Sequence, residues 1–337
     1  MRPCSLKTQQ IAIENAQNPV ATYRPPALHP RGLPPVNIHP LAVVNPQAQI
    51  GRDVRIGPFA IVEDDVVIED GCRLAGHAVV KSGTHLGPNN VVCESAVIGG
   101  LPQHVRCPEQ TGKVQIGQGN TFREFVTVHR ALKPEFATVI GDGNYLMVGA
   151  HVAHDCRMGN NIIMANNCLL AGHVTIDDRS FLSGHVAVHQ FCRIGRMAMI
   201  GGHARVVRDV PPFVTIDGIT SDVVGLNLVG LKRNGYSAEQ IVVLKEAYRL
   251  IFRGGLPWRE MLDRLTADFS SGPAAPLVEF FHGGTRGFSQ ERRPPRSVTL
   301  KLRSDADESE PATLRMQPSK AEVTAPPAMI ELKAKAG

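Results

Sequence analysis

Residues 140–206 read IGDGNYLMVGAHVAHDCRMGNNIIMANNCLLAGHVTIDDRSFLSGHVAVHQFCRIGRMAMIGGHARV, and every sixth residue is apolar: Ile140, Leu146, Val152, Met158, Met164, Leu170, Ile176, Leu182, Val188, Ile194, Ile200 and Val206. Counting back by six gives Val128, Phe122 and Ile116, then an unbroken series from Ile98 down to Ile38. Of 29 positions in this single phase 26 are apolar, so the repeat is not a chance pattern. The exceptions, His104, Gln110 and Pro134, fall in two polar or Pro-bearing stretches that read as loops leaving the repeat. Phase survives both, so each loop replaces a whole number of hexads. A period of six is neither the 3.6 of a helix nor the simple alternation of long strands. It fits short parallel strands joined by tight turns, each strand sending one aliphatic side chain into a stacked core.

After the repeat, Asp209-Val210-Pro211-Pro212 breaks the pattern, because proline cannot donate to a ladder. Ser237-Ala238-Glu239-Gln240 is a capping box ahead of apolar residues at helical spacing through Leu250. Gly254-Gly255 ends that helix, and residues 258–269 and 276–281 read as two more. Four segments are therefore expected: a Pro-rich disordered arm over 1–36, the coil over 37–212, a helical domain over 213–288 and a polar disordered tail over 289–337.

Composition narrows the function. Gly (32) and Pro (25) are plentiful, while one Trp and four Tyr suit a turn-rich aliphatic core better than a helical bundle. The net charge of +5 favours small anionic ligands or an acidic protein partner over a dedicated nucleic-acid surface. Seven cysteines, an odd number with no C-x-x-C pair, argue against a disulfide framework and for a reducing, cytoplasmic setting. No stretch approaches the ~20 apolar residues of a membrane span.

Histidine placement carries the chemistry. No loop interrupts the coil between His151 and His189, so counting by coils puts His151, His154, Asp155, His173 and His189 on one strip over three adjacent turns. Asp155 and His173 stack one coil apart, with His154 beside them. An imidazole next to a carboxylate on a rigid coil is a candidate general base, because the Asp fixes its tautomer and raises its basicity. Surface imidazoles without a task are the plain alternative. Zinc, as bound by the γ-class carbonic anhydrases of another hexapeptide family, is disfavoured because no two histidines here form that family's H-x4-H pair. Cys72, Cys156, Cys168 and Cys192 fall at a small-residue core phase and read as packing.

The segments Gly149-Ala150-His151-Val152-Ala153-His154-Asp155-Cys156, Leu170-Ala171-Gly172-His173-Val174 and Val188-His189-Gln190-Phe191-Cys192 resemble the acyl-[acyl carrier protein]–UDP-N-acetylglucosamine O-acyltransferases. So do Asp209-Val210-Pro211-Pro212-Phe213 and residues 230–236, and the likeness spans about residues 37–288. The resemblance implies a mainly β fold: a left-handed, three-sided parallel β-helix of about nine coils followed by a small α-helical C-terminal domain. It implies transfer of an (R)-3-hydroxyacyl chain from acyl carrier protein to the 3-hydroxyl of UDP-N-acetylglucosamine, the first step of lipid A biosynthesis, by a homotrimer without metal or organic cofactor.

Carried over residue by residue, the resemblance makes His154 the general base, Asp155 its support and the Gly172 N–H the oxyanion donor. It has His151, His173 and His189 line the cleft, Gln190, Gln103 and Arg106 contact substrate, and Asn227 and Arg233 lie near donor and phosphates. Gly202 matches a position where side-chain size limits acyl length. Arg193, Arg196, Arg205, Arg208, Lys232 and Arg233 form a basic set expected to dock the acidic carrier protein. The chain departs from the family at His104 (usually Asp), Arg106 (usually Lys), Ala131-Leu132 (usually Gly-Thr) and Val224 (commonly Pro). These departures leave open an acceptor with a 3-amino sugar, and a non-catalytic β-helix scaffold is the alternative of a different class.

Overall fold

The computed structural model describes residues 38–284 and 286–292, and the expected arm over 1–36 lies outside them. From Val43 to Ile216 the chain forms a left-handed parallel β-helix with three flat faces. The first face stacks nine strands from Val43–Val44 to Arg205–Val206, and the second stacks eight from Gln49–Ile50 to Arg193–Ile194. The third runs from Arg55–Ile56 through Met199–Ile200 to Val214–Ile216, so the coil continues past the prolines at 211 and 212. A single antiparallel strand, Val223–Leu226, closes that face.

Most strands are only two residues long, the first side chain outward and the second inward. The inward residues are the hexad positions of the sequence, and Ile68, Leu86, Ile98, Leu146, Leu170 and Leu182 are almost wholly buried. Each contributes about 1.5–3 kcal/mol by leaving water. Cys72, Cys156, Cys168 and Cys192 are buried in the same core, and burial pushes the Cys156 thiol up to about 12. At the edge between second and third faces, Asn90, Asn120 and Asn144 form a buried ladder. Asn90 Oδ1 accepts from Asn120 N at 2.8 Å, Asn120 Oδ1 from Asn144 N at 2.8 Å and Asn144 Oδ1 from Ile162 N at 2.8 Å.

The edges turn through a left-handed backbone residue, and many are not glycine: Asp155 (φ 61°), His173 (φ 61°) and Phe191 (φ 64°) occupy successive turns of one edge. Asp, Asn and His tolerate this region best among the non-glycine residues, which admits chemically useful side chains at the edges.

Strand partners on successive coils normally lie three hexads apart, as in Val43↔Ile61. Val97↔Thr127 is instead a step of five hexads, and Thr127↔His151 a step of four. The coil thus carries two insertions, the first of two hexads and the second of one. Both loops, 101–112 and 130–136, leave from the edge between first and second faces on consecutive coils.

Beyond the coil, the described residues form four α-helices: α1 (Leu228–Arg233), α2 (Ala238–Arg253), α3 (Trp258–Phe269) and α4 (Ala275–His282). The Ser237 capping box is present, with Ser237 Oγ accepting from Gln240 N and Gln240 Oε1 from Ser237 N. α1 is an element the sequence reading does not contain. The buried apolar side of the helices packs Leu231, Leu244, Met261, Leu265, Leu277 and Phe281 together with Phe213. The boundary expected at 288 is corrected: Ser289 to Arg292 are tied down, with Ser289 N donating to Asp209 O at 2.8 Å and Glu291 accepting from Tyr248 and Arg253. The rest of the expected tail lies outside the described residues.

Candidate active site

The edge between first and second faces gathers the expected chemistry. From its N-terminal side it carries loop 101–112, loop 130–136, then the turns containing His154 and Asp155, Gly172 and His173, and Gln190 and Phe191.

His154 is buried and points Nδ1 at Asp155 Oδ2, 2.7 Å away. With Asp155 as acceptor, Nδ1 holds the ring proton and Nε2 keeps a lone pair, the tautomer a general base needs. Asp155 is itself fixed. Its N–H donates to Thr138 Oγ1 at 2.8 Å, and its Oδ2 also accepts from Leu132 N, on the second loop, at 3.1 Å. One coil on, His173 N donates to His154 O at 3.0 Å, and His173 Nε2 lies 3.9 Å from Asp155 Oδ2. The His173 ring stands perpendicular to His154, centroids 5.2 Å apart, and stacks on Phe191 at 4.5 Å. His104, from the first loop, meets His154 edge-on at 5.8 Å.

Gly172 faces the same ring. A Cβ there would lie 2.6 Å from His154 Cε1 and 2.7 Å from Nε2, so only glycine lets the backbone approach the basic nitrogen. The Gly172 N–H has no acceptor among the described residues.

Burial, with His129 alongside, pushes the His151 imidazole down to about 4, while Thr127 Oγ1 bonds its Nδ1 at 2.8 Å. Burial also lowers His173, opposed by the Asp155 charge. Both are therefore neutral near pH 7 and place no net positive charge around His154. His129 is a member the sequence reading missed. It is buried, 5.0 Å from His151, and its Nδ1 lies 2.7 Å from Leu101 O. Counting by the regular three-hexad coil hides it, but the four-hexad step puts His129 on the column of Ala153, Ala171 and His189.

Other expected residues stand apart. His189 and Gln190 are exposed on the same edge one coil beyond His173, with His189 Nδ1 3.1 Å from Gln190 O. Gln103 and Arg106 are exposed on the first loop. Gly202 lies on a different edge, between third and first faces, with Gly184 O 3.5 Å from where its Cβ would be. Asn227 caps α1 by accepting from Gly230 N at 2.9 Å and donates to Met197 O at 2.9 Å, so both ends of its amide already do structural work. Arg233 is exposed at the end of α1.

The basic set also divides. Arg193 is turned inward, with Nε 2.8 Å from Asp209 Oδ2 and its guanidinium over the Phe280 ring, which removes it from any docking surface. Arg205, Arg208, Lys232 and Arg233 remain exposed.

Two groups of three among the described residues bring metal-ligating atoms within 4.8 Å: His154–Asp155–His173 and Cys93–Glu94–Glu124. In the first, the Asp155 oxygen nearest His154 is engaged by two donors. In the second, Arg123 already holds Glu124 through two bonds, and burial pushes the Cys93 thiol up to about 11.

A family profile described as UDP-N-acetylglucosamine O-acyltransferase, domain 2, matches residues 209–289, and a bacterial transferase hexapeptide profile matches 47–82. The acyl-[acyl-carrier-protein]–UDP-N-acetylglucosamine O-acyltransferase of Halorhodospira halophila is 43% identical over 252 residues, 74% of this chain and 98% of that one. The chain belongs to this acyltransferase family. The enzyme of the same name from Thermodesulfovibrio yellowstonii is 44% identical over 252 residues, again 74% of this chain and 98% of its own. Among solved structures, the UDP-N-acetylglucosamine acyltransferase of Bacteroides fragilis matches with a TM-score of 0.72 at 36% identity, over 75% of this chain and 99% of that one. That of Acinetobacter baumannii gives 0.73 at 37%, over 75% and 100%. The matched lengths cover almost all of these acyltransferases. No helix among the described residues is long and apolar enough to cross a membrane.

Proposed function

We propose that this acyltransferase moves a 3-hydroxyacyl chain from acyl carrier protein to the 3-hydroxyl of UDP-N-acetylglucosamine, opening lipid A biosynthesis, with His154 as the base. The observation that carries the reading is the His154–Asp155 pair at 2.7 Å against the bare backbone of Gly172. An alcohol is a poor nucleophile at neutral pH. As the sugar oxygen attacks the thioester carbon, its proton passes to His154 Nε2, and Asp155 supports the imidazolium that forms. A poised base of this kind contributes roughly 10²–10⁴-fold. The carbonyl oxygen becomes an oxyanion that the free Gly172 N–H stabilises. Collapse breaks the carbon–sulfur bond, and the proton on His154 goes to the departing thiolate.

A homotrimer fits the same reading. Residues expected at one cleft occupy two edges of the prism, His154 on one and Gly202 on another, and a neighbouring copy would bring two edges together. The outward side chains agree. The first face and its edge with the third expose Val43, Ile61, Leu169, Phe59 and Phe125, whereas the second face turns Gln49, His85, Gln115, Arg157 and Thr175 outward. An apolar face of this kind marks an association surface. The exposed Arg205, Arg208, Lys232 and Arg233 supply charge for the acidic carrier protein.

The test is acyl transfer by purified protein from 3-hydroxyacyl carrier protein of several chain lengths, beside the His154→Ala variant. Ester product from wild type and none from the folded variant supports enzyme and base together. No product from folded wild type on UDP-N-acetylglucosamine defeats the reading.

A further inference from the structure

Loop 101–112 brings Gln103, His104 and Arg106 to the catalytic edge, yet residues 103–110 are exposed throughout. Within the loop His104 N donates to Pro102 O, Cys107 N to His104 O and Arg106 N to His104 Nδ1 at 3.0 Å, and at its far end Gly112 N donates to Ala131 O of the second loop. Among the described residues, one hydrogen bond ties residues 101–111 to the coil, from His129 Nδ1 to Leu101 O at 2.7 Å. His129 is only 8% exposed, so the donor side of this bond is shielded from water, while Leu101 itself is exposed. The backbone is shaped for it. Gly100 pairs with His129 across the strand bulge where the loop leaves, and a Cβ on Gly100 would come within 3.0 Å of His129 Nδ1.

The carbonyl acceptor fixes the tautomer, with the proton on Nδ1. Nε2 is then an acceptor, and it is buried with no hydrogen-bond partner among the described residues. A buried acceptor without a donor is costly. A leucine or phenylalanine would fill the space without that cost, so among the described residues the Nδ1 bond is what the imidazole adds.

We propose that His129 is a positioning residue: through the Leu101 carbonyl it holds the 101–112 loop over the catalytic edge and so sets acceptor binding. The inference rests on the reading above that the loop side of the edge receives the sugar nucleotide. The bond to Leu101 acts on the reaction through the loop, apart from the ring contact that His129 makes with His151 and that phenylalanine preserves in shape. Losing the bond therefore affects the substrate the loop contacts and leaves the carrier-protein side unchanged. Asparagine places an amide N–H at a similar reach from the backbone and keeps the anchor. Phenylalanine keeps the volume and removes it.

The experiment compares wild type, His129→Asn and His129→Phe in the full-length protein, measuring KM for UDP-N-acetylglucosamine and for the acyl carrier protein thioester separately. Hydrogen–deuterium exchange of peptides spanning 101–112 is followed in parallel. One hydrogen bond is worth about a three- to tenfold effect. The expected result is a rise of that size in the sugar-nucleotide KM for His129→Phe, a thioester KM within twofold of wild type, faster exchange in the loop and recovery of most of both effects by His129→Asn. Equal rises for both substrates, or an asparagine variant no better than phenylalanine, overturns the proposal. Should His129→Phe not fold, Gly100→Ala, which crowds the same ring, is read in its place. Exchange in the loop needs no turnover, so unchanged exchange counts against the anchor even if wild type proves inactive on UDP-N-acetylglucosamine. Inactivity of wild type with the exchange pattern intact counts against the substrate reading alone.

Discussion

Two halves of one edge differ in how firmly they are held. On the C-terminal half, Asp155 is fixed by Thr138, Leu132 and His154, and His173 is held by the His154 carbonyl and the Phe191 ring. On the N-terminal half, residues 101–111 are mostly exposed, and among the described residues the His129 bond to the Leu101 carbonyl is what ties them to the coil. In the proposed reading, the bond-forming groups sit where each coil constrains the next, and the recognition groups sit where the chain can vary without disturbing the stack. Loops on a rigid scaffold commonly divide labour this way.

The comparison breaks most visibly if the supported half tolerates change. Beyond His154→Ala, Gly172→Ala puts a methyl group against the His154 ring. It should lower kcat by about tenfold to a hundredfold through displacement of the base. The sugar-nucleotide KM should move little, and steady-state kinetics on the folded variant decides it. If kcat holds while the sugar-nucleotide KM climbs, the catalytic half is less rigid than its bonding implies. Asp155→Asn keeps the shape and removes the charge beside His154. A loss of about tenfold, without a change in thermal unfolding, is expected if the carboxylate supports the imidazolium electrostatically.

A smaller effect belongs to the exposed cations. Reversing Arg205 and Arg208 to Glu should raise the KM for carrier-protein thioester by about two- to tenfold, with the difference shrinking at high salt. A simple pantetheine thioester should be used equally well by both proteins. Unchanged kinetics with the carrier protein would remove the docking surface.

The smallest effect sharpens the electrostatics. His151 is neutral in the folded chain down to about pH 4, below the ordinary imidazole value, so the unfolded chain binds more protons between those limits. Stability is therefore lost as pH falls from about 6.5 toward 4, and His151→Gln should flatten that part of the melting-temperature profile. NMR titration of the His151 ring near pH 4 checks the cause directly. A midpoint near the ordinary imidazole value would mean the ring is solvated.

Much of this molecule is legible in its sequence because the coil repeats a local rule. Ile38 to Val206 keep one phase, and the inward residues of the strands are those positions. The strip of His151, His154, Asp155 and His173 is readable for the same reason, since three-hexad steps hold without interruption there. His104 and His129 escape that count because the two insertions intervene, so that the strand partners beside them lie five and four hexads away. Charge alone groups Arg193 with the surface cations and does not reveal that Asp209 and Phe280 cover it. Asn227 likewise gives no sign in sequence that capping α1 occupies its amide. The residue past 288 that matters most, Glu291, is anchored by Tyr248 and Arg253 from α2, a long-range pairing that no local pattern announces.

The two insertions have a consequence for how such a chain can change. Because they measure two hexads and one, the core on either side continues as if nothing had been added. A segment that leaves at an edge extends the surface while every inward side chain keeps its place. One residue more or fewer would rotate all later coils out of phase, unless the loop itself absorbed the difference. Loops at this edge can therefore be exchanged or lengthened, and the downstream turns that carry His154 and Gly172 inherit an unaltered frame.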